Sequence, residues 1–167
     1  MSYTIEKPLP GDAEQLLAYL RQVGSESDNL SFGPEGLQIS VSKERNFILT
    51  ALDSKRTIWY VAKENGKILG DCNIDVLPRR FSHRGELGIS VIRECWNRGI
   101  GSALMKKALG AAKDNLNLEI ITLEVKSDNA PAIHLYKKFG FEKFGTFIKF
   151  FKKGTEYFDA DYMNLYF

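Results

Sequence analysis

Cysteine is scarce in this chain: Cys72 and Cys95 are the two it has among 167 residues, and they lack metal-ligand spacing. They read as buried small hydrophobes rather than as a metal site or a disulfide framework. A dominant charge is missing as well. Lys and Arg total 23 against 21 Asp and Glu, a net charge of +2, and the longest basic clusters are Lys106-Lys107 and Lys152-Lys153. That gives no case for a nucleic-acid partner. No apolar run reaches membrane-spanning length, and the polar start Met1-Ser2-Tyr3-Thr4 is not a signal peptide. These absences predict a soluble protein of the reducing cytoplasm, with no metal, nucleic acid or membrane partner, and they leave a homodimer open. What is present is ordinary: 44% apolar and 26% charged residues. The length suits a single domain over residues 1–167 with a real core, without repeats or a linker.

The periodicities lay out a mixed fold. Tyr3 to Lys7 alternates weakly as a first strand. Asp12 with Gln15 three residues on forms a capping-box start to a helix striped by Leu16, Leu17 and Leu20. A glycine- and acid-rich loop from Gly24 to Gly36 precedes a second helix near Ser42–Leu52, expected to bury Phe47, Ile48 and Leu52. Thr57–Lys63 and Lys67–Leu77 flank Asn65-Gly66, a strong hairpin signal because both positions tolerate positive φ. A fourth strand covers Arg84–Ile92. Leu118–Val125, almost wholly apolar or β-branched, reads as a central strand buried on both faces. Phe141–Phe151 and Tyr157–Phe167 close the chain as a hairpin turning at Lys153-Gly154. The expected class is α/β (α+β): a mixed, mostly antiparallel twisted sheet of about seven strands, helices on both faces, and a central β-α-β crossover.

Within that crossover lies Trp96-Asn97-Arg98-Gly99-Ile100-Gly101-Ser102-Ala103-Leu104, a glycine turn from strand to helix. Ile100, Ala103, Leu104, Ala108, Ala111 and Ala112 mark one face of the helix that follows, to about Leu116. Glycines at its first turn admit a ligand close to the backbone, and the free N–H groups and helix dipole favour phosphate oxygens. Leu104 occupies the last position of a dinucleotide fingerprint, which needs glycine or alanine, and no Walker A ending occurs. A plain strand-to-helix turn would share the same local sequence.

Arg98-x-x-Gly101-x-Ala103 resembles the R/Q-x-x-G-x-G/A signature of the GNAT acetyltransferases. A second, independent segment, Asn129-Ala130-Pro131-Ala132-Ile133-His134-Leu135-Tyr136-Lys137-Lys138-Phe139-Gly140-Phe141, is similar to the family's N-x-x-A-x-x-L-Y-x-x-x-G-F at the expected distance downstream. The resemblance covers roughly Gly85 to Phe167. It implies a GNAT fold and acetyl-CoA as cosubstrate, with direct attack by a primary amine in a ternary complex. The acceptor it implies is a small-molecule amine, a polyamine or a protein N-terminus. A non-catalytic CoA-binding sensor of the same fold is the alternative, and an unrelated phosphate-binding protein is a weaker one.

The same resemblance assigns roles. Arg98, Gly99, Ile100, Gly101, Ser102, Ala103 and Leu104 would hold the pyrophosphate. Val91, Ile92 and Arg93 would pair with the pantetheine arm, and a freed N–H near Val91 would face the thioester oxygen. Asn129 would bind cofactor or cap its helix. Tyr136 would protonate the leaving thiolate, a task suited to a phenol, or would simply pack its helix. Glu86 and Glu124 are the candidate bases, each with an ion pair as its structural reading. Around the acceptor, Glu26, Asp28, Glu35, Glu156, Asp159 and Asp161 would attract a cation or merely solvate loops. His83 and His134 lack convincing partners.

Overall fold

Asn65 and Gly66, at φ 50° and 77°, make the turn the sequence predicts. They join β2 (Thr57–Glu64) to β3 (Lys67–Val76). The computed structural model describes residues 2–167. Its other strands are β1 (Thr4–Glu6), β4 (Arg84–Val91), β5 (Ile120–Lys126), β6 (Glu142–Lys153) and β7 (Glu156–Tyr166). The helices are α1 (Ala13–Glu26), α2 (Val41–Asp53), α3 (Ile100–Leu116) and α4 (Ala130–Lys138). The sheet has seven strands in the order β1-β2-β3-β4-β5-β7-β6. β4 and β5 are parallel and joined through α3, whereas β1/β2, β2/β3, β5/β7 and β6/β7 are antiparallel. The expected class and the central crossover are therefore present.

Contacts group the chain into two compact units, one of Met1–Asp75 with Gly88–Asn117 and one of Val76–Leu87 with Leu118–Phe167. In the first, alternation along β2 and β3 sorts side chains to two faces. A Cβ at Gly70 would strike Leu104 and Ile100 of α3, and Lys107 of α3 lies over the Tyr60 ring. On the opposite face are Trp59, Val61 and Asp71, and there Tyr19 of α1 bonds Ser90 at 2.8 Å. Helices thus cover both faces of these strands. Ile100, Leu104, Met105, Ala108, Leu109 and Ala112 form the buried stripe of α3.

Three local expectations change. Asp12 does not cap α1 with its side chain. It accepts from the Leu9 N–H at 2.6 Å and the Lys63 ammonium at 2.7 Å, while Gln15 bonds Gly66 and Ile68. On the 3-10 turn at Pro10–Asp12, just before the helix, the Asp12 N–H donates in return to the Leu9 carbonyl at 2.8 Å. In α2, Ile48 is buried but Phe47 is 48% exposed and Leu52 only half-buried, because Glu44 takes a place on the inner face. β5 is central but not apolar on both faces, since Glu124 interrupts it on one side as an exposed residue.

In the second unit, β5, β7 and β6 form a continuous antiparallel ladder, with register shifts at Lys143/Gly145 and Phe147/Phe151. Asn129 caps α4 by accepting from the Ala132 N–H at 3.4 Å, and Gly140, at φ 89°, follows its end. Phe141 and Met163 anchor the core here.

Candidate active site

The turn before α3 depends on two left-handed residues, Asn97 at φ 62° and Gly99 at φ 80°. Gly99 is the N-cap, and no side chain caps the helix. The first intrahelical bond is Ala103 N–H to the Gly99 carbonyl, 3.0 Å. Helix geometry leaves the N–H groups of Ile100, Gly101 and Ser102 without intrahelical acceptors. These donors, with the positive end of a helix of 17 residues behind them, fit a phosphate-bearing cosubstrate. The Arg98 side chain is engaged elsewhere. It donates to Glu64 at 2.7 Å and to the Cys95 sulfur at 3.2 Å, and the hydrogen bond to Glu64 is the main cause holding its pKa above the usual value.

At the end of β4 three backbone groups have partners outside the strand ladder. The Val91 carbonyl accepts from the Trp96 indole at 2.8 Å, and Ile92 N–H donates to the Leu69 carbonyl at 3.0 Å. Arg93 N–H donates to the Glu26 carboxylate at 2.7 Å, and its guanidinium donates to the Glu26 carbonyl. Glu26, expected near the acceptor, is thus a clamp on the chain after β4. An arm that accepts from the Arg93 N–H would have to displace the Glu26 carboxylate.

The two candidate bases come together in the second unit. Parallel pairing aligns Arg84 with Ile120 and Glu86 with Thr122. Alternation then places Arg84, Glu86, Thr122 and Glu124 on one face, and Tyr162 stands across from Glu124 on β7. With Leu77, Leu123 and Phe144 they line a cleft of about 240 Å³. Partial burial of the Glu124 carboxylate is the largest cause raising its pKa above the usual range. The charge of Glu86 adds to it, and a hydrogen bond from the Tyr162 hydroxyl opposes it. Glu86 has no hydrogen bond or ion pair among the described residues. The ion-pair reading holds for neither glutamate.

Tyr136 is elsewhere in the same unit, 7% exposed on α4, with its ring 5.9 Å from that of Phe141. It does not line the cleft. Asp161, expected as a solvating acid, is buried instead. It accepts from Ser127 at 2.7 Å and Thr146 at 2.9 Å and pairs with Lys143 at 2.8 Å. Asp159 on β7 accepts from the Lys149 N–H where the register of β6 shifts, and Glu35 accepts from the Gly33 N–H within its loop. His134 is exposed, and Cys72 and Cys95 are buried free thiols.

Sequence reasoning missed Arg84 and Tyr162. Arg84 was legible as the alternate neighbour of Glu86, but Tyr162 becomes visible only once β7 is registered against β5. It also missed Asp71, a half-buried acid of the first unit whose carboxylate accepts from the Trp59 indole at 2.5 Å. Burial raises Asp71 to about 7, against the Trp59 hydrogen bond and with help from the charges of Glu44 and Asp75.

The profile of the Acetyltransferase (GNAT) family matches residues 25–141, well over half of the chain, and the protein belongs to that family. It is 44% identical over 104 residues to the L-amino acid N-acetyltransferase AaaT of Escherichia coli (strain K12). That stretch is 62% of this chain and 64% of the relative, just under two thirds of its length. A GNAT-family acetyltransferase structure from Streptococcus pneumoniae superposes with a TM-score of 0.95 at 30% identity, over 99% of this chain and 100% of that one. A Salmonella typhimurium protein solved with its cofactor acetyl-CoA shares the fold, at a TM-score of 0.85 and 15% identity over 99% and 94% of the two chains.

Proposed function

We propose that this protein is an acetyl-CoA-dependent N-acetyltransferase of the cytoplasm. It moves the acetyl group directly to the primary amine of a small molecule or a protein N-terminus. The observation that carries the reading is the Glu86–Glu124 pair in a cleft beside Tyr162: two close carboxylates, neither neutralised by a cation. A base of raised pKa is matched to removing a proton from an ammonium before attack. The uncapped start of α3 supports the cosubstrate, since its amides suit a pyrophosphate. The Streptococcus pneumoniae relationship and the acetyl-CoA carried by the Salmonella protein agree with this.

In this reading, Glu124, assisted by Glu86, takes a proton from the acceptor ammonium. The amine nitrogen then bonds the acetyl carbonyl carbon, and the bond from that carbon to sulfur breaks. Tyr136 gives its proton to the leaving thiolate, so CoA departs as the thiol, and the phenol is restored from solvent. Tyr136→Phe keeps the packing on Phe141 and removes only the hydroxyl.

The test is thiol release from acetyl-CoA across amino acids, polyamines, aminoglycosides and peptides. Turnover with at least one amine is expected, and kcat falling by about 10²–10⁴-fold in Tyr136→Phe, with the KM for acetyl-CoA little changed. CoA binding without turnover of any amine would instead make the protein a CoA sensor.

A further inference from the structure

Arg84 is the part of this cleft that base catalysis does not use. Its guanidinium donates to the Thr122 hydroxyl at 3.2 Å, and its carbon lies 5.9 Å from the centre of the Phe81 ring. Thr122 is 7% exposed, so this anchor is fixed in the wall of the cleft. The guanidinium has five N–H donors, and one of them meets a neutral oxygen. Two carboxylates line the same cleft, yet no carboxylate among the described residues pairs with Arg84. Opposite charges are held apart on one face of two parallel strands, two residues from each other along β4.

We infer that Arg84 receives the carboxylate of a free amino acid whose ammonium is presented to Glu86 and Glu124. The inference rests on the acetyl-transfer reading and selects among its acceptors. A planar guanidinium binds a carboxylate through paired, charge-assisted hydrogen bonds that an ester, an amide or a peptide carbonyl cannot reproduce. A polyamine would bring a second cation toward Arg84, where like charges repel. The cleft, about 240 Å³, lies below the range typical of drug-sized ligands, which suits a single amino acid. Leu77, Phe144 and the Tyr162 ring supply apolar wall, so the favoured side chain is neutral and apolar.

The experiment compares kcat/KM for an apolar amino acid with that for the amine lacking its carboxyl group, phenylalanine against phenethylamine, and for its methyl ester. The wild-type protein should prefer the amino acid by roughly 10²-fold, the scale set by truncating one side of a charge pair. In Arg84→Gln the ratio should collapse toward one, and Arg84→Lys should restore part of it. The ratio reads recognition rather than folding, because misfolding lowers both substrates together. A wild-type ratio near one, or a ratio that survives in both variants, overturns the inference and leaves acetyl transfer standing. A protein that acetylates no amine at all overturns the acetyl-transfer reading, and this assignment falls with it.

Discussion

Glu124 and Asp161 belong to neighbouring strands of one unit and have opposite fates. Asp161 pairs in register with Val125, so it lies on the face away from Glu124. Burial pushes its carboxyl up, but hydrogen bonds from Lys143, Ser127 and Thr146 outweigh that and hold it below the usual value. Glu124 is exposed at the cleft, and its partly desolvated carboxylate has one donor, Tyr162, and a second acid nearby, so its pKa rises. Both positions are acids in a β-strand, and although Asp161 is the more buried, its oxygens are the better satisfied. A carboxylate surrounded by donors is locked as an anion and serves the fold. One left partly desolvated takes up a proton more readily than an ordinary carboxylate and is the better candidate for chemistry.

The largest break in this comparison is chemical. Glu124→Gln should lower kcat/KM by about 10²–10⁴-fold, the usual contribution of a general base. The sign of the pH dependence follows from the raised pKa. The base acts as a carboxylate, so activity is lost as pH falls through a value above the ordinary one. Glu86→Gln removes a like charge, favours the ionised form of Glu124 and should move this acid limb to lower pH. A limb that stays in place in Glu86→Gln, together with full activity in Glu124→Gln, would leave the pair no catalytic part.

How much of this was legible in the sequence follows from which forces are local. The Asn65-Gly66 turn, the apolar stripe of α3 and the Asn129 cap are short-range, and each formed as read. The α1 start went astray because Lys63, remote in sequence, competes for Asp12. Glu86 and Glu124 could be nominated from motifs. Their meeting needed the parallel register of β4 and β5, and Tyr162 needed β7 as well. The acid loops were misjudged for the same reason. Nothing local distinguishes Asp161 from an exposed acid such as Glu156, because its donors come from α4's leading loop and β6.

An intermediate effect should fall on stability. Asp161→Asn keeps the shape and removes the charge its donors favour, at a cost of about 1–3 kcal/mol. The folded-state pKa is depressed, so the wild-type advantage is present above the unfolded carboxyl value and is lost as pH falls through the folded one. Urea melts of both proteins from neutral to acid pH should therefore converge at the acid end. The kcat of the folded variant should match wild type. A large loss of kcat at unchanged stability would place Asp161 in the chemistry and erase the contrast with Glu124.

The smallest effect is the most discriminating. Tyr162 lies across from Glu124, and its hydroxyl favours the ionised carboxylate, against desolvation and the charge of Glu86. Its own pKa is raised first by burial and then by the Glu124 charge beside it. Tyr162→Phe keeps the ring against Phe144 and Phe150 and deletes the donor. The Glu124 pKa should then rise further, so the acid limb shifts to higher pH, the reverse of Glu86→Gln. A single hydrogen bond at an open cleft is worth about 0.5–1.5 kcal/mol, so the loss should be roughly 2- to 10-fold on the limb and absent on the plateau. Opposite displacements from two nearly isosteric substitutions are hard to obtain by general disturbance of the fold. If both variants shift the limb the same way, Tyr162 contributes ring packing alone, and the raised pKa of Glu124 is set by burial and Glu86.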